Sequence, residues 1–260
     1  MLKNEKLSVL MTAYNAEKYL KPSINSILKQ THKNLELIII DDGSTDGSIN
    51  VVKNFEDKRI QLIKQKKNRG RTKSLNNGLK KVKSKYIAIL DADDISYKNR
   101  LNIQLNFLKK NKHIDIVGTW YEVINNKGKI LKISKTTSNA KMVKKKMFYK
   151  NIFCHSSIMF RKKILKKVKG YPEKFVYMQD YAFILNAMKY FKITIIPKIL
   201  VKNRMIKSSM TFSVPQKQIL KERLILLNYT FINFRQNFTV KALWVLEYLK
   251  TLLKLVIVRN

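Results

Sequence analysis

The chain has 260 residues, 45% of them hydrophobic and 10% aromatic, which is typical of a globular protein and excludes a disordered one. Its formal net charge is +37, but only nine of the 54 basic residues are Arg, and Lys is scattered along the whole chain. Nucleic-acid binders concentrate their charge on one face and mix in Arg. We therefore interpret the charge mainly as compositional bias, with attraction to anionic membranes or substrates as a consequence.

Two features predict a cytoplasmic protein. Cys154 is the only cysteine, so an intrachain disulfide is impossible and a reducing compartment is favoured. The segment Met1 to Lys6 leads directly into a strand and lacks the apolar region of a signal peptide. The sequence also contains no run of about 18 apolar residues, the length that a transmembrane helix needs.

The first half of the chain alternates between short apolar runs and amphipathic segments. Strands are predicted at Leu7 to Thr12, Leu35 to Ile40, Ile60 to Ile63 and Tyr86 to Leu90. Helices are predicted at about Glu17 to Gln30, from a cap at Asp46 to Glu56, through Leu75, Leu79 and Val82, and at Asn99 to Lys110. This alternation predicts an α/β fold with a doubly wound, mostly parallel sheet covered by helices on both faces.

The second half continues without a linker. Strands are predicted at Ile114 to Val123, Lys129 to Ile133, Ser156 to Phe160 and Ile193 to Val201. Helices are predicted before Asn151 and at Met178 to Tyr190. Residues 1–212 are therefore expected to form one domain, with a nucleotide-binding half at about 1–112 and an acceptor half at about 113–212.

The tail, residues 213–260, differs from the rest. Its two predicted helices, Gln216 to Asn233 and Thr239 to Val258, are apolar on one face and basic on the other. Helices of this kind can lie on a membrane surface, here the inner membrane face. Packing against the domain and contact between two copies in a homodimer are the alternatives.

The segment Asp91-Ala92-Asp93-Asp94 places three carboxylates at the end of a predicted strand. Like charges this close repel one another and raise each other's pKa unless a cation neutralises them. The carboxyl edge of an open α/β sheet is where ligands bind, and carboxylates suit Mg²⁺ or Mn²⁺ shared with substrate phosphates. An acidic turn that caps the next helix is the alternative.

Two further strand ends carry complementary chemistry. The first strand ends in Thr12-Ala13-Tyr14-Asn15, where Tyr14 can stack on a base. The second ends in Asp41-Asp42-Gly43-Ser44, where a carboxylate can accept a hydrogen bond from a base and the glycine permits a close turn. Each motif alone is also ordinary turn or packing chemistry. Together, the three edges indicate a site for a nucleotide, a diphosphate and a metal ion.

This combination of motifs resembles the family 2 glycosyltransferases, which have the GT-A fold. The resemblance covers about residues 6–212 and leaves the C-terminal helices uncovered. The matching segments are Ser8 to Asn15, Ser26 to Thr31, Glu36 to Ser48, Asn68 to Gly70, Ile87 to Asp94, His155 to Arg161, and Gln179-Asp180.

The resemblance implies a role for each matching site residue. The nucleotide-sugar site would comprise Thr12, Ala13, Tyr14, Asn15, Asp42, Arg71, Asn76, Asp91, Ala92 and Asp93. Tyr14 would lie against the uracil face and Asp42 would bond the base. Asp91 and Asp93 would contact the donor sugar or ribose. Asp94 would be the principal ligand of Mg²⁺ or Mn²⁺, with Asp93 beside it, and the metal would neutralise the diphosphate.

Asp180 is implied to be the general base. A single displacement with inversion needs a carboxylate that takes the proton of the attacking hydroxyl. Asp180 also precedes the predicted helix Tyr181 to Leu185, so a role as its N-cap is the alternative. The family usually has Glu before this Asp, whereas this chain has Gln179, and the change removes a charge beside the base.

Two other positions qualify the resemblance. We interpret His155 as a structural hydrogen-bonding residue. Many relatives carry a histidine where this chain has Ile206, near the pyrophosphate or the metal. Lys207 or Arg204 is then expected to neutralise the diphosphate instead.

The sequence thus predicts an inverting, metal-dependent glycosyltransferase that moves a sugar, such as a hexose, from a nucleotide-sugar donor, with UDP-sugar expected, to a hydroxyl of a glycan or glycolipid in surface polysaccharide synthesis. A nucleotidyltransferase of similar fold is one alternative, although such enzymes carry a Gly-rich basic loop where this chain has Tyr14-Asn15-Ala16-Glu17. A basic nucleic-acid-binding module would explain the charge but not the acidic strand ends.

Overall fold

A computed structural model of the protein describes residues 5–205 and 215–258. Its strands are β1 Leu7–Ala13, β2 Leu35–Asp41, β3 Ile60–Lys64, β4 Tyr86–Ile89, β5 Ile95–Ser96, β6 Ile116–Ile124, β7 Ile130–Ser134, β8 Met159–Arg161 and β9 Ile193–Arg204. Its helices are α1 Glu17–Leu28, α2 Ser48–Lys53, α3 Arg71–Lys81, α4 Arg100–Lys110, α5 Ala140–Met147, α6 Leu165–Val168, α7 Gln179–Met188, α8 Gln216–Asn233 and α9 Phe238–Ile257.

The strands form one sheet in the order β3-β2-β1-β4-β8-β6-β9-β5, with β7 paired to β6. The predicted parallel arrangement holds in the nucleotide-binding half, where β3, β2, β1 and β4 are parallel neighbours. Elsewhere in the sheet, β8 runs antiparallel to β4 and β6, and β5 runs antiparallel to β9. The α/β fold is confirmed, and the sheet as a whole is mixed rather than mostly parallel.

Helices cover both faces of the sheet because successive side chains of a buried strand point to opposite sides. In β1, Val9 and Met11 pack into the apolar cluster under α1 and α4. Leu10, between them, packs into the cluster under α3 and α7. Both faces of β1 are thus buried, which explains why its sequence is continuously apolar.

Two predicted boundaries are wrong for local reasons. The strand predicted at Ser156 to Phe160 begins only at Met159, because residues His155–Ser157 form a 3-10 turn. The hydroxyl of Ser157 donates to the carbonyl of Cys154 at 2.7 Å, a local bond that competes with strand pairing. The helix predicted from Asp46 to Glu56 is shorter, spanning Ser48–Lys53.

The first C-terminal helix packs on the domain, and the second packs on the first. Helix α8 inserts Leu226 into the core cluster under α3 and α7. Helix α9 packs on α8, where the indole N–H of Trp244 donates to the carbonyl of Leu227 at 2.9 Å. Among the described residues, no helix is long and apolar enough to cross a membrane.

Candidate active site

The acidic segment lies at the carboxyl edge of the sheet, directly after β4. Its backbone is held from two sides. The N–H of Asp91 donates to the hydroxyl of Ser156 at 3.0 Å, and the carbonyl of Asp91 accepts from the hydroxyl of Ser23 at 3.1 Å. The ends of β1 and β2 lie at the same edge, where the N–H of Asp42 donates to the carbonyl of Ala13 at 2.8 Å. The three predicted strand ends are therefore brought together.

Asp91 sits in a buried charge network. The guanidinium of Arg71, at the start of α3, bonds the carboxylate of Asp91 and lies 2.8 Å from Nδ1 of His155. His155 Nδ1 is 3.1 Å from Asp91 Oδ1, and its Nε2 is 2.9 Å from the hydroxyl of Tyr171. Burial alone would raise the pKa of Asp91, but Arg71 and His155 outweigh it and hold that pKa well below its usual range. Asp91 is thus an anion fixed in place.

Carboxylates from distant parts of the chain act on the guanidinium of Arg71. Burial alone would lower the pKa of its guanidinium, but the carboxylate of Asp91 outweighs burial, and Asp180 and Asp93 act in the same direction. The pKa of Arg71 is therefore raised. The carboxylates of Asp180 and Asp93, which are far apart in the chain, therefore both act electrostatically on the Arg71 guanidinium.

Asp93 and Asp94 lie in different surroundings. Asp93 is half-buried, and burial followed by the charge of Asp91 raises its pKa to about 6. Asp94 is fully buried; its oxygens accept from the side-chain amide of Asn203 at 2.9 Å and from the N–H of Arg204 at 2.6 Å. Burial raises the pKa of Asp94 well above its usual range, and Asp93 and Asp91 add to that shift. The carboxylate of Asp93 is thus partly exposed, whereas that of Asp94, the predicted principal metal ligand, is buried.

Arg204, which was predicted to neutralise the diphosphate, is buried, and its guanidinium bonds backbone carbonyls. It donates to the carbonyl of Asp93 at 2.9 Å and to that of Asn125 at 2.8 Å, and it lies 4.8 Å from the ring centre of Tyr19. It clamps the acidic segment to the turn after β6. The other positions considered there, Ile206 and Lys207, lie outside the described residues.

The loops after β1 and β2 form one unit. Asn15 has a positive φ of 48°, and its side-chain oxygen accepts from the N–H of Thr45 at 2.9 Å. The neighbouring Tyr14 is 48% exposed, so its ring is not buried in the core. Thr12 is half-buried and Ala13 is buried. The exposed ring of Tyr14 is thus available for stacking, whereas Asn15 shapes the loop.

Asp42 is buried where the loop after β2 meets residues 65–69. Its Oδ1 accepts from the N–H of Arg69 at 2.8 Å and from the amide of Gln65 at 3.1 Å. Gly43 makes this approach possible, since its φ is +75° and a Cβ there would lie 2.5 Å from the carbonyl carbon of Lys67. The neighbouring Asp41 has a buried Oδ1 without a hydrogen-bond partner among the described residues.

Asn76 fixes a loop rather than presenting a free amide. Its oxygen accepts from the N–H of Tyr171 at 2.8 Å, and its NH₂ donates to the carbonyl of Tyr171 at 2.9 Å. The loop that precedes α7 is thereby tied to α3. Ala92 is buried in the cluster under α1 and α4 and anchors the acidic segment.

Asp180 is the second residue of α7 and is half-buried. The amide of Asn151 donates to its Oδ2 at 3.1 Å. The N-cap residue of α7 is Met178, which makes no side-chain cap bond, so the alternative that Asp180 is the N-cap is wrong. Gln179 is buried, and its side-chain oxygen has no hydrogen-bond partner among the described residues.

Several residues that support the site were missed by sequence reasoning, namely Ser23, Gln65, Asn151, Asn203 and Glu222. Each is a polar residue with no local motif that marks it. Asn203 and Glu222 act on segments more than 40 residues away in the chain. Only Glu222 carries a signal in the sequence, because it is the single acid among the basic residues of its helix.

The residues present fit a divalent cation that is shared with a substrate. Within residues 5–205 and 215–258, no group of three or more His, Cys, Asp and Glu side chains is arranged to hold a metal ion alone. Mg²⁺ and similar ions bind through one or two carboxylates together with substrate phosphates and water. Asp93, whose carboxylate is partly exposed beside the buried Asp94, fits the protein's share of such a site.

Solved structures agree with this fold. Staphylococcus aureus TarS 1-349 in complex with UDP-GlcNAc superposes with a TM-score of 0.73 at 21% identity, covering 95% of this chain and 72% of that chain. The mannosyltransferase PcManGT from Pyrobaculum calidifontis, in complex with GDP-Man and Mn²⁺, gives a TM-score of 0.68 at 16% identity, covering 94% of this chain and 69% of that chain. The GT-A fold is therefore confirmed.

Sequence relatives identify the family. An uncharacterised glycosyltransferase of Methanocaldococcus jannaschii is 40% identical over 204 residues, 76% of this chain and 70% of the relative. The UDP-Glc:α-D-GlcNAc-diphosphoundecaprenol β-1,3-glucosyltransferase WfgD of Escherichia coli is 36% identical over 186 residues, 70% of each chain. The family model described as glycosyl transferase family 2 matches residues 8–169, more than half of the chain. The protein therefore belongs to glycosyl transferase family 2.

Proposed function

We propose that the protein transfers a sugar from a nucleotide-sugar to a hydroxyl acceptor with inversion at the anomeric carbon. The observation that carries the proposal is the convergence of the ends of β1, β2 and β4 at one edge of the sheet, with Asp42 and the acidic segment at that edge. Arg71 bonds Asp91 there, and the charge of Asp180 also acts on the Arg71 guanidinium.

The donor is proposed to be a UDP-sugar. The exposed ring of Tyr14 offers a stacking surface, and the loop that carries Asp42 closes one side of the base pocket. Support also comes from TarS, which binds UDP-GlcNAc, and from WfgD, whose name gives UDP-Glc as its donor. Asp91, fixed by Arg71, is proposed to bond the donor sugar or ribose.

We propose Asp93 as the direct ligand of the metal ion. Asp94 is proposed to fix the acidic segment through its buried hydrogen bonds. A bound Mg²⁺ or Mn²⁺ would neutralise the charge that develops on the departing nucleotide diphosphate. Asp93 would bind it as the carboxylate, since a neighbouring cation favours the ionised form of an acid. The relative PcManGT, solved with Mn²⁺, supports this choice of ion.

Asp180 is proposed to accept the proton of the acceptor hydroxyl while the oxygen of that hydroxyl attacks the anomeric carbon. The amide of Asn151 orients the carboxylate through its bond to Oδ2. Gln179 lies beside the base and offers a buried amide oxygen instead of a second charge.

The acceptor is proposed to be a glycan or glycolipid of surface polysaccharide synthesis at the cytoplasmic face of the membrane. The name of WfgD, which specifies a diphosphoundecaprenol-linked GlcNAc acceptor, supports this class. Hexosyl transfer in one addition per binding event is the expected reaction.

The test is an assay with UDP-sugars, Mn²⁺ and a lipid-diphosphate-linked GlcNAc acceptor, in which the product is analysed by mass spectrometry and NMR. Release of UDP with a β-linked product from an α-linked donor supports the proposal. An α-linked product would contradict inversion. Release of pyrophosphate rather than a nucleoside diphosphate would identify a nucleotidyltransferase.

A further inference from the structure

Helix α9 has one face on α8 and the opposite face open. Val240 and Thr251 are buried on the packed face, and Trp244 bonds the backbone of α8 there. The carboxylate of Glu247 pairs with Arg223 of α8 at 2.5 Å. These contacts fix which side of α9 faces the protein, so the exposure of its other side follows from the fold.

The open side, which we call the outer face of α9, is apolar along its length. It comprises Leu243, Leu246, Leu249, Leu253, Val256 and Ile257, each between 39% and 70% exposed. From Leu243 to Val256 the residues recur at intervals of three and four, and Ile257 lies four residues after Leu253, so they form one stripe along the helix. A contiguous exposed stripe of large apolar side chains marks an interaction site rather than ordinary surface.

Basic residues border this stripe. Lys241, Lys250 and Lys254 are exposed. The only acid in the helix sequence, Glu247, pairs with Arg223 of α8 and also lies 3.4 Å from Nζ of Lys250. The outer face is thus apolar in the middle and cationic at its edges. This arrangement is complementary to a lipid surface with anionic headgroups.

We propose that the outer face of α9 docks on an anionic lipid surface, with the helix lying in the plane of the interface. A helix of 20 residues is about 30 Å long, yet it is amphipathic, and no helix in the described ranges is suited to span a bilayer. A second copy of the chain is the less favourable occupant, because each copy carries a net charge of +37 and the borders of the face are basic.

Docking would bring the acceptor half to the membrane. Helix α8 lies between α9 and the domain, and its buried Glu222 accepts from the backbone N–H groups of Val176, Tyr177 and Met178 at 2.9 to 3.0 Å. These residues immediately precede the helix that carries Asp180. The lipid-facing helix is therefore connected through one intervening helix to the segment that holds the proposed base.

The test is flotation of the full chain with vesicles of phosphatidylcholine containing about 30% phosphatidylglycerol, compared with pure phosphatidylcholine. We expect binding to the anionic vesicles that weakens as salt is raised. The double variant Leu246→Glu/Leu253→Glu should bind about tenfold or more weakly, because it loses apolar area and gains negative charge. Lys250→Glu/Lys254→Glu should lose the preference for anionic vesicles.

Leu131→Glu/Ile133→Glu is the matched control. These apolar residues of β7 are exposed to a similar degree, 54% and 49%, but lie outside the outer face of α9. Thermal unfolding of each variant verifies folding. Equal flotation of the wild type and Leu246→Glu/Leu253→Glu, or no flotation of the wild type, would overturn the proposal. A wild-type dimer that becomes monomeric in this variant would assign the face to self-association instead.

The lipid inference goes beyond the proposed reaction, and the two can fail separately. Flotation is measured without any nucleotide-sugar. Donor binding is measured without lipid. A protein that floats but binds no donor would support the lipid inference and contradict the proposed reaction. A protein that binds a donor but does not float would support the reaction and contradict the lipid inference.

Discussion

The carboxylate of Glu222 accepts a hydrogen bond from the backbone N–H of Met178 at 3.0 Å, two residues before Asp180. Glu222 is buried on α8, and it receives two further bonds from the preceding backbone. These N–H groups have no acceptor within α7, because the N–H groups at the N-terminus of a helix lack intrahelical partners. A side chain of the C-terminal helices therefore completes the start of the helix that carries the proposed base.

Replacing Glu222 should weaken both stability and transfer. Glu222→Ala leaves the N–H groups of Val176, Tyr177 and Met178 without their acceptor, and we expect the free energy of unfolding to fall by about 1 to 3 kcal/mol. Glu222→Gln retains one acceptor oxygen and should lose less. Urea denaturation measures the stability, and at a temperature where the variant is folded, kcat should fall while donor affinity is kept.

Glu247→Gln is the control, since Glu247 lies on α9 and pairs with Arg223 rather than with the segment before α7. A Glu222→Ala protein as stable as the wild type would refute the role of the Glu222 carboxylate.

Asp93 and Asp94 should respond differently to substitution. Asp93→Asn removes the partly exposed carboxylate that we propose as the metal ligand, so metal-dependent donor affinity should fall by about tenfold or more with little change in melting temperature. Asp94→Asn places an NH₂ group against the donors of Asn203 and Arg204, and should lower stability by about 1 to 3 kcal/mol.

The two measurements for this pair are calorimetric donor binding with and without Mn²⁺ and thermal unfolding without donor. The matched comparison is the pair itself, because the substitutions are chemically identical at adjacent positions. Undiminished Mn²⁺-dependent binding in Asp93→Asn would contradict its assignment as the direct ligand.

Asp180→Asn should abolish transfer while leaving donor binding intact. An amide cannot accept the acceptor proton, and the loss of a general base costs about 10² to 10⁴ in rate. Single-turnover transfer and donor calorimetry separate the two effects. Glu56→Gln removes an exposed carboxylate elsewhere on the domain and should retain wild-type activity. Full transfer by Asp180→Asn would exclude Asp180 as the base.

Glu36 provides a pH-dependent test of the sheet. Burial alone would raise the pKa of Glu36, but hydrogen bonds from Lys6 and Ser8 outweigh it, so the folded-state pKa is lowered. Its stabilising effect is therefore complete above the pKa of the unfolded chain and is lost as the pH falls through the folded-state pKa. Glu36→Gln should reduce stability at pH 7 by about 1 kcal/mol, and less at acidic pH. Denaturation curves at several pH values measure this; a constant difference would contradict it.

Much of the nucleotide-binding half could be predicted because its signals are local. β2 was predicted to end at Ile40 and ends at Asp41, and α4 was predicted from Asn99 and begins at Arg100. Continuous apolar strands flanked by amphipathic helices define parallel layers, and the parallel order then brings the strand ends to one edge. The clustering of Tyr14, Asp42 and Asp91 near that edge follows from topology alone.

The finer geometry depended on distant contacts. Asp93 and Asp94 are neighbours of the same type, and only Asn203 and Arg204, more than 100 residues further along, determine which one is buried. The acceptor half mixes parallel and antiparallel strands, since β8 enters the sheet between β4 and β6. No periodic pattern encodes such pairing. The turn at His155–Ser157 likewise depends on the hydroxyls of its serines, which local hydrophobicity cannot predict.

The central claim is that Asp93 and the strand ends around it bind a nucleotide-sugar together with a divalent cation. Calorimetric titration with UDP-, GDP-, CDP- and dTDP-sugars, with and without Mn²⁺, tests it most directly. The account predicts that a UDP-sugar binds, that Mn²⁺ strengthens this binding, and that Asp93→Asn removes the strengthening. Absence of binding by every donor in the presence of Mn²⁺ would contradict the account.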